Sequence, residues 1–361
     1  MNTDTLFYFV NADGSGHTRR AEAILSHLSI PTVIGSEKPE LFAASSSTLT
    51  LVKIPSMRAP GDRLLADDVL HVPYGRDRAY LERVRAIAET CLHYRCRLAV
   101  IDVCVETALL MRLCGIPYLY MRMSGRRDDA AHLQCYRAAT GLIASYPRAF
   151  EEPWVPDWMR AKTHYGGGIF VAPEAVQRRA LSSRPYILVM RGKGMSQLTS
   201  SAIAQAAYHI PEYDWIGIGF DAPQSGSNWQ ILPYVAEPDA YLQQADIVIA
   251  NTGNNSVLEV GYWQKPFITL PEWRFFDEQM AKAEQLAQHH LAVVMTDWPN
   301  AAIQWRSLIE QAKALSVDGW PTILSDQGAR QAAGYISQAF AQLQPDAIGE
   351  PPLPPPLMAV Q

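Results

Sequence analysis

The sequence predicts an α/β protein built from two Rossmann-like, parallel-sheet domains that face each other across a cleft. Three observations predict it. Short apolar runs alternate with amphipathic helical stretches along most of the chain, the pattern of open parallel sheets. A unit of strand, glycine-rich turn and helix occurs near the start, at residues 6–29, and again at 186–207. The length, 361 residues, suits two domains of about 100–200 residues each. The expected divisions are 1–165, a linker at 166–178, a second domain at 179–344 and a proline-rich tail at 345–361.

Composition narrows the function. With 48% hydrophobic residues the chain can bury a sizeable core. Lys and Arg number 31 against 36 Asp and Glu, a net charge of -5. That balance lacks the broad basic footprint of a nucleic-acid binder. The five cysteines (Cys91, Cys96, Cys104, Cys114 and Cys135) have no zinc-ribbon spacing and read as free thiols of a reducing compartment. No stretch approaches the roughly 18 apolar residues of a membrane span. A cytoplasmic protein is expected, with membrane association peripheral at most, and no metal cluster is evident.

Residues 6–10 are an apolar, aromatic run, hence a buried strand. The turn Asn11–Ala12–Asp13–Gly14–Ser15–Gly16–His17 follows. Ala21, Ile24, Leu25 and Leu28 then recur at i, i+3, i+4, i+7, one apolar helix face over 18–29. Glycines permit close backbone approach, and a helix start offers unpaired N–H groups to an anion. The turn lacks the third glycine of the dinucleotide fingerprint. His17 stands where the turn enters the helix. It could take a proton from an attacking hydroxyl, or merely cap and pack. Strands follow at 31–34 and 49–54, a loop at 55–77 and a helix at 78–93. Residues 98–103 form a continuous apolar strand containing Asp102, with Glu106 just beyond. Either carboxylate could orient His17; either could equally cap a helix or face solvent. A helix at 107–114, a strand at 117–121, a charged loop at 122–129 with Arg126 and Arg127, and a strand at 142–145 complete the first half. The glycines of 164–173 read as a strand feeding a hinge.

The second half opens on a strand at 186–190 and a turn with Arg191, Gly192, Lys193, Gly194 and Ser196 before a helix. Glycine and cations at a helix start suit a pyrophosphate, although this is no Walker loop. Strands at 215–219 and 231–235 follow, with Pro233, Tyr234 and Val235 able to flank a base, then a helix at 238–244. The richest stretch is 245–279. Its strand, 247–250, ends in Asn251, Thr252, Gly253, Asn254, Asn255 and Ser256, small polar residues suited to phosphate oxygens. Asn255 or Ser256 is expected to cap the next helix. Glu259, in that helix's first turn, either answers the helix dipole or accepts from two ribose hydroxyls. After the strand at 267–270 come Asp277 and Gln279, a carboxylate and an amide suited to a sugar and ordinary at a helix start. An edge strand at 292–295 and helices at 300–314 and 326–343 finish the body.

These residues carry a resemblance. DGSGHTRRAEAILSHL, YILVMRGKGMSQ and the stretch from ADIVIANTGNNSVLEVGYWQKPFITLPE to FDEQ are similar to three motifs of the two-domain, metal-independent nucleotide-sugar glycosyltransferases of the GT-B fold. Within these, the bacterial peptidoglycan N-acetylglucosaminyltransferase family is the nearest likeness. The resemblance implies an inverting transfer of a sugar from a nucleotide diphosphate sugar, with uridine as the expected base, to a hydroxyl acceptor, with no cofactor. It implies His17 as general base, Glu259 on the ribose, Thr252 to Ser256 along the phosphates, and Asp277 with Gln279 on the donor sugar. The chain departs from the pattern where the family often carries an arginine after the linker strand. Ala172 stands there, and Arg191 is the expected substitute. A hydrolase or epimerase acting on a nucleotide sugar, or a non-catalytic binder of one, stays open. The acceptor is unassigned.

Overall fold

The computed structural model describes residues 4–11, 15–42, 48–56, 69–71, 78–173, 182–192, 198–235 and 238–343. Lys193, Ser196, the tail and most of the 55–77 loop lie outside the described residues.

The first sheet is built from β1 (Thr5–Val10), α1 (Ser15–Leu25), β2 (Thr32–Ser36), β3 (Leu49–Lys53), α2 (Arg78–His93), β4 (Cys96–Asp102), α3 (Val105–Leu113), β5 (Tyr118–Arg122), α4 (Ala130–Ala138), β6 (Gly141–Ala144), α5 (Asp157–Lys162) and β7 (Thr163–Tyr165). Its strand order is β3-β2-β1-β4-β5-β6-β7, all parallel. The middles of the central strands, 6–10 in β1 and 98–101 in β4, are apolar because both sheet faces are covered. Phe7, Phe9, Ala99, Ile101, Tyr118 and Tyr120 point to one core layer. Their neighbours Leu6, Tyr8, Val10, Leu98, Val100, Leu119 and Met121 point to the other.

The second sheet follows from β8 (Tyr186–Met190), α6 (Ser200–His209), β9 (Asp214–Ile218), β10 (Gln224–Ser225), β11 (Trp229–Ile231), α7 (Asp239–Gln244), β12 (Ile247–Ala250), α8 (Asn254–Tyr262), β13 (Phe267–Thr269), α9 (Glu278–Gln288), β14 (Val293–Val294), α10 (Ala302–Lys313), α11 (Trp320–Ile323) and α12 (Gly328–Gln342). The order is β10-β11-β9-β8-β12-β13-β14, parallel except for the β10–β11 hairpin. Two core layers again divide alternate residues, with Leu188, Ile216 and Val248 on one face and Ile187, Trp215 and Ile249 on the other. No helix among the described residues is long and apolar enough to cross a membrane.

Three differences from the sequence reading matter. First, α12 lies in the stretch assigned to the second domain, yet Ala329, Ala332, Ala333 and Ile336 pack into the first sheet's core beside Leu6, Tyr8 and Leu98. Apolar periodicity says that a helix buries a face; it does not say against which sheet. The chain therefore crosses between the sheets twice, at 166–168 and at 325–328. The crossings touch backbone to backbone: a Cβ on Gly328 would sit 1.6 Å from the Gly168 carbonyl oxygen. Second, α4 was not anticipated, and α9, for which the sequence offered only a helix start near Asp277 and Gln279 as one reading, runs from Glu278 to Gln288. The buried face of α4 is Ala131, His132, Cys135 and Tyr136, which gives little apolar period. The start of α9 is masked by Phe276 and Asp277, both left-handed at φ 62° and 51°. Third, the strand expected at 231–235 ends at Ile231.

Candidate active site

In each sheet the chain order reverses beside its first strand, and ligand crevices in such sheets open at that point, beyond the carboxyl ends of the strands. In the first sheet the reversal lies between β1 and its neighbours β2 and β4. In the second it lies between β8 and its neighbours β9 and β12. The two crevices face each other. A cleft of about 340 Å³ between them is lined by Gly16, His17, Arg19 and Arg20 from one side. From the other come Arg191, Gly192, Asn251, Gly253, Asn254, Asn255, Ser256, Glu259, Glu278 and Gln279.

On the first side, β1 and β4 pair with Val10 opposite Asp102, so the helix that follows β1 begins beside that carboxylate. His17 Nδ1 lies 2.9 Å from Asp102 Oδ2 and 2.9 Å from Arg20 Nη2. One nitrogen cannot donate to the carboxylate and accept from the guanidinium together. An unprotonated Nδ1 would set a lone pair against an anionic oxygen, so Nδ1–H donates to Asp102. The lone pair is then on Nε2, leaving that nitrogen basic. Arg20 also donates to the other oxygen of Asp102. Burial alone would raise the Asp102 carboxyl, but the charges of Arg20 and His17 and their hydrogen bonds hold it below the usual carboxylate range. Of the two orienting acids considered, the structure brings Asp102 to His17. Glu106 instead accepts from the His71 backbone N–H at 2.8 Å.

On the second side, the expected Asn255 or Ser256 cap is absent. Gly253 is the cap of α8 and makes no side-chain cap bond, so Asn254, Asn255 and Ser256 form the first turn. That leaves helix-start N–H groups without a side-chain cap at the cleft. Asn251 shapes the turn: its Oδ1 accepts from Gly253 N–H at 3.2 Å and its Nδ2 donates to Glu272 at 3.2 Å. Thr252 is fully buried, and its hydroxyl donates to the Gln279 carbonyl at 2.7 Å. It ties the α8 turn to α9 instead of lining the cleft. Gln279 accepts from the Glu272 backbone N–H through its side-chain oxygen at 2.9 Å, which fixes the amide beside the cleft. Asp277 is exposed and away from the cleft, and the acid on the cleft wall is the next residue, Glu278. The left-handed pair at Phe276 and Asp277 turns Asp277 outward just before α9 begins.

Glu259 faces the cleft with its side chain 18% exposed. Burial pushes its carboxyl up to about 7, with Arg19 opposing the shift and Asp239 adding to it. Arg191 lines the cleft, stacks over Phe220 at 5.5 Å and reaches Asp221 at 3.5 Å. Tyr234 also lines it.

Sequence reasoning missed four residues here. Arg19 donates across the cleft to Glu259 at 3.0 Å. Arg20 completes the His17–Asp102 group, and its i+3 spacing from His17 was the available signal. Glu278 pairs with Arg127 of the first domain at 3.0 Å. Lys282, 2% exposed, donates to Asn254 Oδ1 at 3.2 Å, and burial lowers its pKa to about 8. Arg126 and Arg127, which the sequence places in a charged loop, join the domains: Arg126 N–H bonds the Phe276 carbonyl at 2.8 Å.

Among the described residues, one group has metal-ligand chemistry: His71, Asp129 and His132, ligand atoms within 4.8 Å of one another. Hydrogen bonds account for it. His71 Nε2 and His132 Nδ1 lie 3.0 and 2.6 Å from separate oxygens of Asp129. Burial pushes His132 down to about 4, so it stays neutral, and the charge of Arg127 adds to that shift. A nearby guanidinium also disfavours a divalent cation at this spot.

The model of the glycosyltransferase family 28 C-terminal domain matches residues 204–316. A UDP-N-acetylglucosamine–N-acetylmuramyl-(pentapeptide) pyrophosphoryl-undecaprenol N-acetylglucosamine transferase of Amoebophilus asiaticus is 30% identical over 125 residues, 31% of this chain and 34% of that protein. The match thus spans about a third of the relative's length. Among solved structures, the calicheamicin glycosyltransferase CalG4 superposes with TM-score 0.71 at 16% identity, over 95% of this chain and 100% of that one. MurG of Acinetobacter baumannii does so with TM-score 0.61 at 15% identity, over 92% and 99%. The chain therefore has the two-domain fold of the GT-B glycosyltransferases, and its residues 204–316 are similar to the glycosyltransferase family 28 C-terminal domain.

Proposed function

We propose that the protein is an inverting glycosyltransferase that moves a sugar from a uridine-type nucleotide diphosphate sugar to a hydroxyl acceptor, using side chains and backbone dipoles in place of a metal ion. One observation carries the reading. A histidine whose tautomer is set by a buried aspartate faces, across one cleft, an uncapped helix start with a carboxylate one turn on.

Glu259 accepts from the two ribose hydroxyls, and Tyr234 flanks the base. The diphosphate lies along the first turn of α8, with Arg191 beside it. His17 Nε2 takes the acceptor's hydroxyl proton as its oxygen attacks the anomeric carbon. The carbon–oxygen bond to the diphosphate breaks, and the nucleoside diphosphate leaves. The proton ends on His17, whose imidazolium Asp102 stabilises. Base and leaving group lie on opposite sides of the sugar, so one displacement inverts the anomeric centre. Charge develops on the leaving diphosphate, where helix-start N–H groups and a guanidinium stabilise it most. The acceptor is left as a hydroxyl-bearing saccharide, lipid-linked or small molecule. The N-acetylglucosamine transferase activity of the Amoebophilus asiaticus relative and the fold support transfer as the reaction class.

Titration calorimetry with uridine and thymidine nucleotides tests the donor half. Binding that Glu259→Ala abolishes is expected, and a protein that binds none of them refutes the reading. Donor incubated without acceptor should stay intact; rapid release of free sugar points to a hydrolase.

A further inference from the structure

We infer that the first domain shapes the cleft wall of the second. A socket of Arg127, His71 and His132 grips Phe276, and the loop from Gly125 to Arg127 holds Phe276 and Asp277 in the left-handed form that puts Glu278 and Gln279 on the wall. These first-domain residues are positioning residues for a surface across the cleft from them. That wall is the one the proposed function gives to the donor sugar, so its role rests on that reading; the placing of the wall does not.

First-domain contacts converge on Phe276 and Glu278. The Phe276 ring lies 4.5 Å from the Arg127 guanidinium, with the His132 and His71 rings at 4.9 and 5.8 Å. The Phe276 carbonyl accepts from Arg126 N–H at 2.8 Å, and Glu278 accepts from Arg127 at 3.0 Å. Asp129 builds the socket: its two oxygens hold His71 Nε2 and His132 Nδ1, so both rings are fixed. The group with metal-ligand chemistry thereby has a task that needs no metal. At Gly125 the two backbones meet. A Cβ there would lie 2.3 Å from the Phe276 carbonyl oxygen and 2.9 Å from Glu278 Cα, and Gly125 itself has φ 97°.

Phe276 and Asp277 have φ 62° and 51°. A bulky side chain has no local reason to take left-handed values, which persist only where the surroundings impose them. The second domain closes the turn with one bond, Asp277 N–H to the Arg274 carbonyl at 3.2 Å. It also anchors Gln279, through Thr252 and the Glu272 N–H. Neither anchor grips Phe276, whose ring and carbonyl both go to the first domain. Without that grip the pair relaxes towards right-handed values, which continue α9 backwards. Glu278 then loses both Arg127 and its place on the wall.

The test is amide hydrogen exchange of the free full-length protein at residues 282–285, the first amides bonded within α9. Arg127→Met removes the guanidinium and keeps the loop backbone. Loss of its charge-assisted bond should speed exchange there about 10- to 100-fold. Gly125→Ala, which puts a methyl against the Phe276 carbonyl, should do the same; if that variant does not fold, Arg127→Met decides. Exchange at 98–101 and 247–250 should stay within about threefold of wild type, and equal acceleration in these sheet strands would mean general loosening and overturn the inference. Asp277→Gly isolates the backbone effect. The exposed Asp277 side chain makes no cap bond to α9, and glycine takes the left-handed form without strain. Added to Arg127→Met, it should slow exchange at 282–285 again, about fivefold. Exchange in Arg127→Met within about threefold of wild type, or no slowing by Asp277→Gly, overturns the inference. Exchange is read without ligand, so a protein that binds no uridine nucleotide would sink the donor reading and leave this result standing.

Discussion

Glu259 gives the sharpest prediction, because its protonation and its proposed task conflict. Its carboxyl is pushed up to about 7 by burial, so the free protein holds a proton there at mildly acidic pH. A carboxylate accepting from two ribose hydroxyls must be ionised. Nucleoside binding should therefore expel a proton. With a pKa near 7, Glu259 is about nine-tenths protonated at pH 6, about half at pH 7 and about one-tenth at pH 8. Uridine, which does not itself titrate in this range, should release about 0.9, 0.5 and 0.1 proton at those pH values. Calorimetry in two buffers of different ionisation enthalpy measures that number directly. Affinity should fall about tenfold from pH 8 to pH 6. In Glu259→Gln the release should vanish and the residual affinity should be flat with pH. The same shift has a stability consequence of determined sign. A raised carboxylate pKa means that the folded state binds the proton more tightly than the unfolded one. Stability contributed by this group is present below about 4.5 and is lost as pH rises to 7, by about 3 kcal/mol at most. Binding of uridine with no proton release at pH 6 would refute both the raised pKa and the carboxylate's role.

Three further outcomes follow from the geometry. His17→Ala should leave UDP affinity within about twofold of wild type while lowering kcat about 10²- to 10⁴-fold once an acceptor is identified; an unchanged kcat removes His17 as the base. Asp102→Asn leaves Arg20, 2% exposed, without its counter-ion, and breaking such a buried pair costs about 3–5 kcal/mol. Urea unfolding of the purified variant should show that loss, and a change below about 1 kcal/mol would mean that the ion pair is not holding the site. Gly328→Ala places a Cβ where the Gly168 carbonyl already is, so the chain crossing must open; the variant should be cut by a protease near 166–168 or 325–328 faster than wild type, and equal rates would show that the crossing adapts.

Much of the fold was legible because a doubly wound sheet writes itself locally. Residues 98–101 and 247–250 are apolar at every position since helices cover both faces, and a short run of that kind between turn residues is readable without partners. What failed were features that depend on distant contacts. The α12 helix has a clear apolar face, yet that face lies against β1 and β4, more than two hundred residues earlier in the chain. The α4 helix buries His132 and Cys135, whose fit comes from Asp129 and Tyr118 and not from hydrophobic period.

The candidate site divides along the same line. The turn at 251–256 and Glu259 were readable because strand, turn and helix are contiguous, so local geometry sets which groups reach the cleft. His17 and Asp102 were readable as two separate strand-end residues, and one parallel pairing, β1 with β4, joined them. The cross-cleft ion pairs had no such route. Arg19 and Glu259 are 240 residues apart and belong to different sheets, so their contact depends on how the two crevices face each other. Arg19 was read only as part of an amphipathic helix, and Glu278 was passed over for Asp277 because a carboxylate beside a carboxylate gives composition no way to choose. The choice is made by two left-handed residues, Phe276 and Asp277, that turn the chain before α9 begins. A sequence motif can therefore name the turn at 251–256, while the groups that meet it across the cleft are set by the domain interface. Arg19 belongs to that second class: its hydrogen bond to Glu259 exists only because the two sheets meet across the cleft.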